Sequence, residues 1–123
     1  MRILIVTQYF WPENFRINEL CEEFTNLEHD ITVLTGYPNY PKGEIYKEFL
    51  KDKKKFKKYK GAEIIRVPIF PRKKNKLTLS LNYFSFLINS IIFGYFKLKS
   101  KKFDIVFTFQ LSPVTVGITS AFF

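Results

Sequence analysis

The first 35 residues constrain the fold more than any other stretch. Arg2 to Gln8 (RILIVTQ) is an unbroken apolar run rich in β-branched side chains, as expected of a strand covered on both faces in a parallel sheet. After a loop, Ile17, Leu20, Cys21, Phe24 and Leu27 recur every three or four residues, with Glu19, Glu22 and Glu23 between them. That spacing predicts an amphipathic helix from about Phe15 to Leu27. Ile31 to Thr35 (ITVLT) is a second β-branched run, so the chain opens as a βαβ unit. The apolar stretch Ile3 to Val6 is too short for the core of a secretory signal and reads as part of the first strand.

Gly36 to Gly43 (GYPNYPKG) is a shaped loop, because its glycines and prolines suit neither helix nor central strand. The lysine-rich run Lys51 to Lys60 follows. Glu63 to Phe70 (EIIRVPIF) reads as a third strand, with Pro68 marking its end or a sheet edge, and Asp104 to Phe109 (DIVFTF) as a fourth. Ser112 and Pro113 suit the cap and first position of a last helix. Together these elements predict one α/β domain over residues 1–123, a Rossmann-like parallel sheet with helices on both faces.

Leu77 to Phe96 carries no charge and is flanked by Lys74, Lys76, Lys97 and Lys99, which is long enough to span a bilayer. Yet Thr78, Asn82, Ser85 and Asn89 gather on one helical stripe, and basic residues stand at both ends. The pattern favours a helix packed on the sheet and touching a bilayer at most, with a true span as the competing reading.

The formal net charge is +9 and is unevenly placed. Residues 1–41 sum to −4, residues 42–76 hold 14 basic and 4 acidic side chains for +10, and residues 77–123 add +3. Such a basic segment implies an anionic partner: a lipid headgroup, a phosphate-bearing substrate or nucleic acid. The single cysteine excludes an internal disulfide and, on the helix stripe, reads as a buried thiol in a reducing compartment.

Ligands of open parallel sheets bind at the carboxyl ends of the strands. Three loops are expected there: Tyr9 to Phe15, Gly36 to Gly43, and Gln110 to Pro113. Their candidate sugar- or phosphate-binding residues are Trp11, Glu13, Asn14, Arg16, Tyr37, Asn39, Tyr40, Lys42, Gln110 and Ser112. Tyr9, Phe10 and Trp11 serve equally well to stack on sugars or to plug the sheet edge. Arg16, at the helix start, suits either a diphosphate or an ion pair with Glu13, Glu19 or Glu23. His29 falls at the opposite edge and reads as a helix-end residue. No His, Cys and carboxylate spacing forms a metal site, and no glycine fingerprint or Walker loop occurs, which argues against an NAD enzyme or an NTPase. With Glu13 the lone carboxylate of these loops, a two-carboxylate glycosidase has no basis.

Four stretches, RILIVTQYFWPENFRINELCEEF, HDITVLTGYPNYPKGEIY, GAEIIRVPIF and DIVFTFQLSPVTVG, resemble the N-terminal half of family 4 glycosyltransferases. They look closest to the bacterial enzymes that build O-antigen, capsule or colanic-acid-like polysaccharides on lipid carriers. The resemblance implies the acceptor-side lobe of a two-lobed GT-B fold and retaining transfer from a nucleotide sugar, which serves as substrate, with no further cofactor. Implied partners are a lipid-linked sugar acceptor, an anionic membrane surface held through Lys42 to Lys76, and a donor-binding lobe, absent from this sequence, that a separate polypeptide could supply. The implied place is cytoplasmic, peripheral to the inner face of the bacterial plasma membrane. Pro12 to Arg16 stand where many relatives carry paired glycines, and Phe107, Phe109 and Gln110 where many carry histidines, so no catalytic residue carries over. A truncated lobe, inactive alone, is the expectation; the competing reading is a basic module for anionic lipid or nucleic acid, with Phe56 and Tyr59 as stacking groups.

Overall fold

In chain order the elements are β1 (Arg2–Thr7), α1 (Arg16–Asn26), β2 (Asp30–Gly36), α2 (Lys47–Lys51), a 3-10 turn (Lys53–Phe56), β3 (Lys58–Tyr59), β4 (Ala62–Val67), α3 (Lys76–Leu98), β5 (Ile105–Phe109) and α4 (Thr115–Phe122). They come from a computed structural model that describes residues 1–109 and 115–123. β1 pairs in parallel with both β2 and β5, and β4 adds in parallel outside β2. The sheet order is β3-β4-β2-β1-β5. The parallel neighbours β2, β1 and β5 fall where the sequence puts them.

The all-parallel expectation needs correcting, because β3 makes the sheet mixed. Lys60 and Gly61 both have positive φ, 48° and 90°, the conformation of a tight two-residue hairpin. The chain therefore reverses inside the basic run, and Lys58 and Tyr59 pair antiparallel with Glu63 and Ala62. β4 ends at Val67, so Pro68 marks the end of the strand as the sequence suggests, having no N–H to offer a ladder.

Side-chain alternation sorts the core into two layers. Ile3, Ile5, Ile31, Val33 and Ile64 face α1, which contributes Ile17 and Cys21. Leu4, Val6, Leu34, Ile65 and Val67 face the other way, onto Phe86 and Leu98 of α3 and Val116 of α4. Helices thus cover both faces, as expected.

α3 packs on the sheet with its polarity reversed. Its buried row is Asn82, Phe86, Ser90, Gly94 and Leu98, at steps of four. Gly94 lets the row pack closely: a Cβ there would stand 2.8 Å from the tip of the Phe123 ring and 3.1 Å from a Leu34 methyl, so both side chains would have to shift. The polar stripe faces inward, binding the backbone that leaves β4. Asn82 Nδ2 donates to the Phe70 carbonyl (2.6 Å), Ser85 Oγ accepts from Phe70 N–H (2.7 Å) and Asn89 Nδ2 donates to the Pro68 carbonyl (2.6 Å). Lys97 Nζ continues the series to the Arg66 carbonyl at 3.3 Å. Pro68 ends the ladder, and α3 supplies the hydrogen bonds that a further strand would otherwise have given. Apart from Phe86 and Leu98, large apolar side chains of α3 such as Leu77, Phe84, Ile88 and Ile92 are left facing outward.

Candidate functional site at the carboxyl edge

The carboxyl edge is built around a buried carboxylate. Glu13, 1% exposed, accepts from the N–H groups of Phe10 (3.4 Å), Asn39 (3.1 Å) and Tyr40 (2.7 Å), and so joins the loop after β1 to the loop after β2. Burial pushes its carboxyl up to about 7, against the pull of those three donors and of Arg66. Asn18 of α1 braces the same loop, accepting from Trp11 N–H at 2.9 Å and donating to the Glu13 carbonyl at 2.8 Å. Arg66 locks the underside: its guanidinium donates to the carbonyls of Gly36 (3.2 Å), Phe56 (3.4 Å) and Trp11. Burial lowers Arg66 to about 10, while Glu13 opposes that change.

A third loop reaches this edge, and the sequence did not mark it. Residues 68–75, between β4 and α3, bring Arg72 N–H to Asn39 Oδ1 at 2.8 Å. The Arg72 guanidinium lies 5.5 Å from the Tyr40 ring centroid, a cation–π distance. Gly43 permits the contact between loops: with φ of 73°, it lies where a Cβ would be 2.4 Å from the Arg72 carbonyl oxygen. Tyr9 sits beneath, its hydroxyl on Asn82 Oδ1 at 3.1 Å, and burial pushes its phenol up to about 12 although Arg72 beside it pulls the other way. A cavity of about 280 Å³ opens above, lined by Tyr40, Pro41, Arg72, Lys73, Lys74 and Leu79.

The predicted residues divide by direction. Asn14, Arg16, Tyr40 and Lys42 are exposed, and Lys42 lines a separate cavity of about 430 Å³ with Tyr46 and Glu48. Glu13 and Asn39 are buried in the scaffold, Asn39 Nδ2 donating to the Tyr37 carbonyl at 3.0 Å. Gln110 and Ser112 lie outside the described residues. Phe10 and Tyr9 plug the edge rather than stand open, and Trp11 packs at a tilt between Phe56 and Tyr59. Tyr37 turns toward Phe49 and Lys53, into a cavity of about 350 Å³ beside β4 whose cations are Lys53, Lys57, Arg66 and Lys97. Phe56, the stacking group of the nucleic-acid reading, is 5% exposed and covered by Trp11 and Phe49.

This arrangement can grip an anion with Arg72, Lys73 and Lys74, and offers the Tyr40 ring and Leu79 to a less polar body on the same ligand. The class defined is an α/β domain with a mixed five-stranded sheet and an aromatic, cationic carboxyl edge. Compared with models of known families, with curated proteins and with solved structures, the chain matches none.

Proposed function

We propose that this chain is the acceptor-side lobe of a retaining, family 4-like glycosyltransferase of GT-B architecture. It binds a lipid-linked polysaccharide intermediate, to which the whole enzyme moves a sugar from a nucleotide sugar at the cytoplasmic face of a bacterial plasma membrane. One observation carries the reading: the cavity between the second and third loops sets two lysines and an arginine beside an aromatic ring and a leucine of α3. A lipid-linked sugar phosphate combines those same three chemistries: an anion, a ring and a hydrocarbon tail. Arg72 presents a planar fork to phosphate oxygens, and its backbone bond to Asn39 holds the loop in register. Tyr40 offers its ring to the first sugar. The lysines of residues 42–76 hold the lobe against anionic lipid, where the acceptor resides.

Calorimetric titration of the purified chain with a short prenyl diphosphate carrying one N-acetylhexosamine tests the reading. Binding should exceed that of the prenyl alcohol and fall at least about tenfold in Arg72→Ala, as expected for loss of a bidentate charge-assisted contact. Equal affinity for wild type and Arg72→Ala, or a preference for a single-stranded oligonucleotide at matched salt, would overturn it. On this reading the acceptor-side lobe alone should transfer no sugar, because fixing the donor against the acceptor takes both lobes of a GT-B fold.

A further inference from the structure

We propose that the outer face of α3 is a bilayer-insertion surface, with the helix lying in the plane of an anionic membrane and buried to the depth of its apolar side chains. This deepens the membrane location given above but does not depend on the transfer reaction. Leu77, Leu81, Phe84, Ile88, Ile92 and Tyr95 follow one another at steps of four, three, four, four and three, which makes a single straight row on the helix. All six are exposed, between 41% for Leu81 and 70% for Leu77, whereas the opposite row from Asn82 to Leu98 is buried. α4 extends the patch: Phe122 meets Tyr95 edge-on at 6.4 Å, and Ile118 is exposed on the same helix.

The charges say what covers this face. Lys73, Lys74 and Lys76 stand at one end of the row and Lys99 and Lys102 at the other, while Lys97 and Lys101 turn away to the Arg66 carbonyl and Glu63; the sequence from Lys73 to Lys102 holds no acidic residue. A protein partner that buried the row would have to supply carboxylates at both ends of the helix. An anionic bilayer does so everywhere, and lysine stems reach its headgroups while the row sits among acyl chains. Each lysine near such a surface strengthens binding about fivefold. α3 is 23 residues long and apolar enough to cross a membrane, but its polar stripe is spent on the backbone of residues 66–70 and on Gln8 and Tyr9. Spanning would strip those bonds and place amides in hydrocarbon, so the helix lies on the membrane rather than through it.

The test uses sucrose-loaded vesicles of equal parts phosphatidylglycerol and phosphatidylcholine, free of any sugar acceptor. The chain should sediment with them and be released by alkaline carbonate. Phe84→Glu combined with Ile88→Glu should weaken binding at least about tenfold, whereas Leu27→Glu, an equally exposed apolar site beyond α1, should not change it. An environment-sensitive label on Ile88→Cys should shift blue and be quenched by lipids brominated in their acyl chains, while the same label on Glu23→Cys should stay in water; buried Cys21 takes no label. A water-exposed Ile88 label on vesicle-bound protein would overturn the proposal. Resistance to carbonate would replace it with a span, and self-association that shields the Ile88 label without vesicles would assign the face to a second copy. Failure here leaves acceptor titration unaffected, since that assay contains no vesicles.

Discussion

Replacing Glu13 with glutamine should remove a specific pH dependence of stability. In the native chain the carboxyl titrates at about 7, against an ordinary 4.5. Below about 4.5 both folded and unfolded chains carry the proton, and the group is neutral toward stability. As pH rises from there the unfolded chain releases it while the native chain keeps it, so unfolding becomes easier until the folded group also ionises near 7. At about 1.4 kcal/mol per tenfold change in acidity, the accumulated loss is about 3 kcal/mol. Glutamine keeps the shape. Its oxygen can accept from Asn39 and Tyr40 as Oε2 does now, and only the long 3.4 Å bond to Phe10 N–H is given up. At pH 4 the Glu13→Gln variant should therefore be less stable than wild type by about 1 kcal/mol. At pH 8 it should be the more stable of the two by about 2 kcal/mol. Urea unfolding followed through Trp11, the single tryptophan, measures both. Parallel stability curves from pH 4 to 8 would refute the reasoning, since they would mean that the carboxylate ionises as easily inside the loops as in water.

Other substitutions probe the supports of the edge. Asn82→Leu removes the partner of Gln8, Tyr9 and the Phe70 carbonyl at once and should cost about 3 to 5 kcal/mol in chemical denaturation. Gly43→Ala combines a positive φ with a collision against the Arg72 carbonyl and should destabilise by about 2 to 4 kcal/mol, with matching changes in amide shifts of residues 68–75. Cys21, buried and with its thiol pushed up to about 11 by that burial, should react with a disulfide reagent at pH 8 only as fast as the native state opens.

The βαβ opening was legible because two continuous β-branched runs and one clean 3.6-residue stripe occupy it, each long enough for periodicity to be counted. Residues 47–59 were not, since α2, the 3-10 turn and β3 last five, four and two residues, shorter than any period. Phe49 and Phe56 are buried there among lysines, and Asp52 caps the turn by accepting from Lys54 and Lys55 N–H. For α3 the polar stripe was visible, but a pattern of residues does not say which side faces the protein. The unpaired carbonyls after Pro68 decide that, and they exist only in three dimensions. Glu13 read as a ligand-facing carboxylate for a similar reason, as its three donors come from two loops 26 residues apart. Arg72 had no signal beyond a basic residue in a basic segment, whereas Arg66, a lone cation inside an apolar strand, could have been flagged as a buried lock.

The hairpin at Lys60 and Gly61 also governs how the sheet can be enlarged. β3 occupies the flank of β4 and runs against the direction of the other strands, so that side presents a two-residue stub studded with lysines, a poor template for another strand. On the far side β5 pairs only with β1 among the described strands, and its outer flank keeps the parallel sense of the layer. A strand joining this sheet, from the same polypeptide or another, meets fewer obstacles beside β5 than beside the lysine-studded β3. Docked there, it would extend the sheet away from the basic segment and leave the Tyr40–Arg72 cavity clear.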